Sequence, residues 1–235
     1  VKKQRESGIT LTALGYGTGN YNEALMEQIA NVGNGNYAYI DSAMEAQKVL
    51  RDEMSSTLFT IAKDVKIQIE FNPAYVSEYR LIGYENRLLA EEDFDNDAVD
   101  AGDIGAGHQV TALYEIVPAG AKGWLPERRY GENRAKASDK KNGELGFIKL
   151  RYKLPEGKTS KLIERPLEAG MIGSARMPKG DMAFAVSVAA FGQKLRGDKY
   201  LGNYGYGDIR NLAGSSNDFW RQEFVKLTSL AGSGG

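Results

Sequence analysis

The sequence predicts an α+β protein, in which the truncated α/β (βαβα) end of a doubly wound sheet precedes an antiparallel β-sandwich-like domain with C-terminal helices. Three observations support this class. Residues 9–58 alternate two apolar strands with two helical stripes, which is the spacing of a parallel crossover unit. Residues 65–168 contain short strands separated by polar loops. From Pro178 the apolar spacing becomes helical again.

The first segment begins with a strand that is apolar on both faces, "ITLTALGYG", Ile9 to Gly17. Asn20 and Glu23 follow as an N-cap and N3 pair, which satisfies unpaired amides at a helix start. A second strand, "NYAYID", comes next. Ser42 then begins a Ser-x-x-Glu capping box, and the apolar stripe behind it predicts a helix that runs to Leu58.

The middle segment alternates between apolar and polar residues, as in an antiparallel strand with one face in water. In "VKIQIEF" the apolar positions predict the inner face, whereas Lys66 falls on the wet face. Further strands are expected within "YVSEYRLIGYE", "HQVTALYEIVP", "GFIKLRYKLP" and "SKLIERPL". Several short strands joined by polar loops favour a small β-sandwich.

The last segment predicts three helices. "GDMAFAVSVAAFGQKLRG" is apolar on nearly every side and is therefore expected to be a buried helix. "YGDIRNLAG" and "NDFWRQEFVKLTSLAG" are amphipathic, and the inner face of the latter is predicted to carry Phe219, Phe224, Leu227 and Leu230. The predicted domains are therefore 1–60, 61–175 and 176–235.

Composition excludes several functional classes. Lys and Arg (30) nearly balance Asp and Glu (31), and a net charge of −1 gives no overall field that would attract nucleic acid. The chain has no cysteine and only one histidine, His108, which excludes Cys-ligated zinc and multi-histidine metal sites. No stretch approaches a membrane span in length. The charged start at Val1 resembles the last turn of a helix and predicts that the chain is a C-terminal fragment.

The glycine-rich stretch after the first strand is a candidate phosphate cradle. Gly15, Gly17 and Gly19 give Gly-x-Gly-x-Gly, and Asp41 ends the second strand where a ribose-binding acid would lie. The dinucleotide fingerprint Gly-x-Gly-x-x-Gly requires its third glycine at position 20, which holds Asn20, and no Gly-Lys-Ser/Thr motif follows. A nucleotide- or phosphate-binding enzyme that uses the Gly15–Gly19 loop is therefore kept as the alternative function.

A resemblance to a known family covers nearly the whole chain. "GITLTALGYGTGNYNEALMEQIANVGNGNYAYIDSAMEAQKVL" resembles the C-terminal end of a bacterial von Willebrand factor type A domain. "LIGYENRLLAEEDFDNDAVDAGDIGAGHQVTALYEIVP", "IKLRYKLPEGKTSKLIERPL" and "FAVSVAAFGQKLRG" resemble the domain of unknown function that follows it in envelope-associated bacterial proteins. The resemblance implies a non-enzymatic module for protein–protein interaction or adhesion in the cell envelope or periplasm.

The same resemblance implies where a metal would bind. Type A domains hold Mg²⁺ through Asp-x-Ser-x-Ser after their first strand, and this chain contains no such motif. The motif belongs upstream of Val1, so no magnesium ligand is carried over onto any residue of this chain. Mg²⁺ is therefore expected only in a longer protein, and no cofactor or catalytic residue is predicted here.

The acidic segment Glu91–Asp103 is a second metal candidate. Asp93, Asp95 and Asp97 occupy positions 1, 3 and 5 of an EF-hand-like spacing for Ca²⁺. The glycine at position 6 and the bidentate acid at position 12 are missing, however. We expect a solvated or helix-capping acidic loop without a tight calcium site, and these three aspartates are kept as weak calcium candidates.

Two surface features concern partners. In the resembled family the strand corresponding to Ile9–Gly15 has neighbours on both sides, and here only one neighbour is present in the sequence. An unpaired edge of this kind is a template for another chain, which predicts self-association through Ile9–Leu14 besides binding to a protein partner. The basic segment Glu127–Lys141 could contact an anionic surface, but a charged β–β loop is the expected interpretation.

Overall fold

The structure is a computed structural model that describes residues 1–6, 9–17, 19, 21–84, 88–126 and 143–234. The basic segment Glu127–Lys141 and the predicted cap Asn20 lie outside the described residues.

Helices and strands alternate at the start of the chain, and helices dominate its end. The α-helices are α1 (Lys2–Glu6), α2 (Glu23–Val32), α3 (Ala43–Gln47), α4 (Met54–Leu58), α5 (Gly170–Ser174), α6 (Gly180–Leu195), α7 (Tyr206–Ala213) and α8 (Phe219–Ser233). The strands are β1 (Ala13–Tyr16), β2 (Tyr37–Ile40), β3 (Thr60–Phe71), β4 (Val76–Ile82), β5 (Gly102–Gly105), β6 (Leu113–Pro118), β7 (Glu144–Lys153) and β8 (Lys161–Glu168).

The described strands form three sheets. β1 and β2 pair in parallel, with Ala13 opposite Tyr37 and Tyr16 opposite Ile40. A four-stranded sheet has the order β5-β3-β7-β8, in which β3 and β5 are antiparallel. β4 and β6 form a separate antiparallel pair. A parallel crossover unit combined with antiparallel strands and helices confirms the predicted α+β class.

Both helices of the crossover unit begin at a side-chain cap, but the sequence pattern pointed to the wrong cap for α2, Asn20. α2 is capped by Asn22, whose side chain accepts a hydrogen bond from the backbone N–H of Leu25. The Ser42 hydroxyl accepts from the N–H of Glu45 at 3.1 Å, as predicted. The helix expected to run on to Leu58 is instead interrupted by a π-helical turn at Lys48–Asp52.

The wet face of β3 was predicted wrongly at Lys66 and Ile67. Lys66 is only 3% exposed, whereas Ile67, expected on the inner face, is 45% exposed. Lys66 is buried because backbone carbonyls of the acidic segment accept hydrogen bonds from its ammonium. Alternation therefore identified the strand but not the face that the rest of the chain covers.

The terminal helices were located correctly, but their buried faces were not. Leu227 and Leu230 of α8 are 55% and 71% exposed, while Thr228 is fully buried. Phe224, predicted on the inner face, does contact the rings of Phe184 and Phe191 in α6. The helix therefore packs through the face centred on Phe224 and Thr228. α6 is likewise buried along one face only, since Met182 and Val188 are 50% and 43% exposed.

Contacts divide the chain into two compact units. The first unit comprises Val1–Ile69, Leu89–Val110 and Ile148–Arg165, and the second comprises Glu70–Leu88, Thr111–Phe147 and Pro166–Gly235. Because contact density does not measure independent folding, the predicted domain boundaries at 60 and 175 stay a prediction.

Candidate functional site

The acidic segment of the first unit surrounds a buried ammonium group. Lys66 Nζ donates to the backbone oxygens of Asp93 and Asn96, at 3.1 and 2.5 Å. The neighbouring Phe94 is only 3% exposed and anchors the segment. A protein cation therefore contacts the carbonyl oxygens of this loop.

Two further cations from β7 contact the same segment. The guanidinium of Arg151 pairs with the carboxylate of Asp95. Lys153 Nζ lies 2.7 Å from Asp64 Oδ2 and donates to the backbone oxygen of Asp97 at 2.7 Å. The side chains of Arg151 and Lys153 are 18% and 14% exposed, so the acidic segment covers both.

The carboxylates of this region differ in their protonation behaviour. Hydrogen bonding from Ser160 holds the pKa of Asp97 below its ordinary value, with smaller contributions from Lys153 and Arg151. Burial raises the pKa of Asp103, although the N–H of Asp64 donates to its carboxylate at 3.2 Å.

The three calcium candidates are therefore brought close to lysine and arginine side chains. Asp93 and Asp97 direct backbone oxygens at ammonium groups, and the carboxylate of Asp95 neutralises a guanidinium. Ca²⁺ binds through six to eight oxygen ligands, and it would have to displace these contacts. The charge pairing favours a structural role for the segment, and the absence of a tight calcium site stays a prediction.

Local packing accounts for two glycines of the Gly15–Gly19 loop. A Cβ at Gly15 would lie 2.5 Å from a ring carbon of Tyr21, so a larger residue there would force the tyrosine ring to move. Gly17 has a φ of +85°, which only glycine adopts at little cost. The hydroxyl of Tyr39 donates to the carbonyl of Gly17. These glycines thus let two tyrosines pack against the end of β1.

A cleft of about 520 Å³ lies beside the β1–β2 sheet. Its walls comprise Tyr21 and Glu23 at the start of α2, residues 37–39 of β2, and side chains of α3 and the following turn. The rings of Tyr21 and Tyr39 are 4.5 Å apart. The Tyr21 hydroxyl is buried and has no hydrogen-bond partner among the described residues.

The segment leading into β1 and the end of that strand expose apolar side chains. Ile9 is 58% exposed, Leu11 39% and Tyr16 62%. The N–H groups of Leu11 and Ala13 donate to the carbonyls of Gly33 and Asn36 on the β2 side. Because successive strand amides point to opposite edges, the amides of the intervening residues face away from β2. This edge therefore combines outward-facing backbone groups with apolar side chains.

The second unit contains a charged cluster around Arg80. Its Nε lies 2.5 Å from Glu115 Oε2, and its Nη1 lies 2.7 Å from Asp198 Oδ2. The guanidinium carbon is 4.6 Å from the ring centre of Tyr200 and 5.6 Å from that of Trp124. The cluster connects β4, β6 and the segment after α6.

Ion pairing outweighs burial in this cluster. Burial would lower the pKa of Arg80, but hydrogen bonds with Glu115 and Asp198 raise that pKa above its ordinary value. Burial would raise the pKa of Asp198, but the backbone N–H of Tyr200 and the side chains of Arg80 and Gln193 lower it below 3.8. Arg80 and Asp198 therefore stay ionised at neutral pH, which suits a structural cluster.

Sequence reasoning missed both the cleft and the Arg80 cluster. Arg80 and Asp198 are 118 positions apart, and neither lies in a motif that would connect them. For the cleft a local signal was present: one crossover unit contains three tyrosines and an acid, namely Tyr21, Glu23, Tyr37 and Tyr39.

Membrane and metal features were also sought among the described residues. No helix there combines the length and the apolar character that crossing a membrane requires. Within the same residues, no group of three or more His, Asp or Glu side chains is placed to hold a metal ion.

Comparisons with known proteins identify relatives of this chain. Residues 56–233 match the family described as "Uncharacterized protein YfbK, C-terminal". The chain is 52% identical over 235 residues to uncharacterized protein YfbK of Escherichia coli (strain K12), covering 98% of this chain and 40% of that protein. It thus spans about two-fifths of the relative's length. A solved von Willebrand factor type A structure from Catenulispora acidiphila is similar over 96% of this chain and 53% of its own, with 16% identity and a TM-score of 0.38.

Proposed function

Because the chain belongs to the family described as the C-terminal part of uncharacterized protein YfbK, which names no activity, we propose a function from its surfaces. We propose that it is a non-enzymatic module for protein–protein interaction. The resemblance to envelope-associated proteins with type A domains extends this proposal to adhesion in the bacterial cell envelope or periplasm. Any Mg²⁺ in the longer protein would be held by residues upstream of Val1.

The observation that carries the proposal is the outer edge of β1. Ile9 and Leu11 are exposed in the segment that leads into β1, and alternate amides along this segment and β1 face away from β2. Edges of this kind, with unpaired backbone groups beside apolar side chains, pair readily with strands of other chains. The occupant could be a strand of a protein partner or the same edge of a second copy. Nucleic acid is a poor partner because the net charge is −1.

Self-association through Ile9–Leu14 is the directly testable form of this proposal. We expect Thr10→Lys to weaken a wild-type dimer by about tenfold or more, since a charged lysine on an edge strand opposes pairing. Thr111→Lys places the same change on an exposed residue of the second unit and should leave the dimer intact. Light scattering over a range of concentrations measures the mass, and circular dichroism verifies folding. A wild-type chain that stays monomeric throughout would refute self-association.

A thermal-shift screen separates this function from the alternative enzyme that uses the Gly15–Gly19 loop. Ligands that bind only the native state raise the melting temperature. We expect ATP, NAD, Mg²⁺ and Ca²⁺ to leave the transition of this chain unchanged. Saturable stabilisation by a nucleotide would favour the enzyme. Saturable stabilisation by Ca²⁺ that disappears in the Asp95→Asn variant would support the three aspartates as calcium ligands.

A further inference from the structure

The cleft beside β2 borders the edge of the strand that β1 does not occupy. Three consecutive residues, Tyr37, Ala38 and Tyr39, line the cleft, and no residue of β1 does. Successive side chains of a strand point to opposite faces of the sheet. Because the cleft touches all three of these residues and no residue of β1, it lies on the side of β2 away from β1. Within the described part of the chain, β2 pairs only with β1.

The charges around this edge are mainly negative. Glu23, Glu45 and Glu53 line the cleft with a single cation, Lys48. Lys48 lies 2.7 Å from the carboxylate of Glu45. Neither Glu23 nor Glu53 forms a salt bridge with any described residue, and both are exposed. The cleft thus has an excess of two negative charges, which a basic side chain of a ligand would neutralise.

Aromatic rings add a second attraction for a cation. Tyr21, Tyr37 and Tyr39 all contribute to the walls. Cations bind to the faces of such rings, and arginine does so more often than lysine. The buried hydroxyl of Tyr21 also leaves one hydrogen-bonding group in the wall without a partner among the described residues. A volume of about 520 Å³ is within the range of ligand-binding clefts.

From this geometry we propose that the outer edge of β2 binds an extended, arginine- or lysine-containing segment of a partner protein by strand addition. Backbone groups of the segment pair with the β2 edge, as in other cases in which a peptide extends a sheet. Its basic side chain enters the cleft beside the tyrosines and pairs with Glu23 or Glu53. This goes beyond the interaction proposed for the β1 edge, because it concerns the opposite side of the sheet and specifies the partner's chemistry.

The test uses a capped, fluorescein-labelled heptapeptide of alternating Val and Thr residues with a central Arg. Fluorescence anisotropy should show saturable binding to the chain. A peptide with Glu in place of the Arg should bind about tenfold more weakly or worse, the factor expected for one lost charge-assisted contact. Two further peptides are N-methylated at alternate residues, one along each edge of the extended peptide. Methylation along the edge that faces β2 removes the amides that strand addition needs, so one of the two peptides should not bind.

Protein variants assign the binding to the cleft. Glu23→Gln combined with Glu53→Gln should weaken binding of the Arg peptide by about tenfold, whereas Glu156→Gln, an exposed substitution in the first unit, should not. The Thr10→Lys variant should bind the peptide normally. Failure of self-association through the β1 edge can therefore be distinguished from failure of peptide binding at the β2 edge. Three results would each overturn the proposal: no binding of the Arg peptide at millimolar concentration, equal binding of the Glu and Arg peptides, or equal binding of the two N-methylated peptides.

Discussion

Replacing Lys66 by Met is expected to lower the free energy of unfolding by about 2–4 kcal/mol, because two backbone carbonyls lose the buried ammonium that donates to them. The ammonium is the hydrogen-bond partner of the backbone oxygens of Asp93 and Asn96, and the residue is only 3% exposed. Methionine keeps the unbranched stem, so the change isolates the loss of the charged group. Urea unfolding measures the effect as a lower midpoint with an unchanged slope.

The control for this variant is Lys161→Met, an exposed lysine on β8 that should change stability by no more than about 0.5 kcal/mol. Hydrogen exchange gives a local measure, because amides of the acidic segment should exchange faster in Lys66→Met than in the control. If both variants unfold at the wild-type midpoint, the acidic segment does not depend on the buried ammonium. Its proposed structural role would then be wrong.

Local signals predicted the elements of this fold well. The Ser42 cap forms as expected, and the strand around residues 65–71 and the three terminal helices are present. Each of these predictions depends on residues within a few positions of one another, as in a capping side chain or an apolar repeat. Such features are determined mainly by local backbone geometry and survive in almost any tertiary context.

The buried faces of the strands and helices could not be predicted from such local signals. Alternation placed Lys66 in water, but the acidic segment, almost 30 residues later, covers it. In α8 the helical stripe suggested Leu227 and Leu230, yet Thr228 is the fully buried residue. Thr228 satisfies its hydroxyl by donating to the Phe224 carbonyl, which makes a polar residue acceptable at a helix contact. Burial therefore depended on neighbours from distant segments.

The candidate sites likewise include features that a local pattern indicates and features that depend on contacts between distant segments. The glycines of the Gly15–Gly19 loop were noticed because they form a recognisable spacing, and the structure gives Gly15 and Gly17 local packing roles. The cleft beside β2 depends on how α2, β2 and α3 are arranged, so its lining appears only in three dimensions. The Arg80 cluster depends on contacts between segments that no local pattern connects.

Replacing Arg80 by Met is expected to destabilise the second unit strongly. The substitution leaves Glu115 and Asp198 close together without their shared cation, and it removes the ring contacts with Tyr200 and Trp124. Breaking a fully buried ion pair costs about 3–5 kcal/mol. Because these carboxylates keep 32% and 20% of their side-chain surface exposed, solvent screening reduces the expected loss to about 2–3 kcal/mol. Arg165→Met, an exposed change on β8, is the matched control.

The pH dependence of unfolding tests the electrostatic part of this cluster separately. The pKa of Asp198 is lower in the folded chain than its ordinary value of 3.8. Its ionised form therefore stabilises the fold fully above that value, and this stabilisation is lost as the pH falls through the folded pKa. Asp198→Asn keeps an oxygen that can accept from the N–H of Tyr200 but cannot titrate. The variant should thus be less stable than wild type at neutral pH, and the difference should shrink in acid. A difference that does not shrink as the pH falls below 3.8 would show that the ion pair with Arg80 contributes nothing and that packing alone explains the Arg80→Met loss.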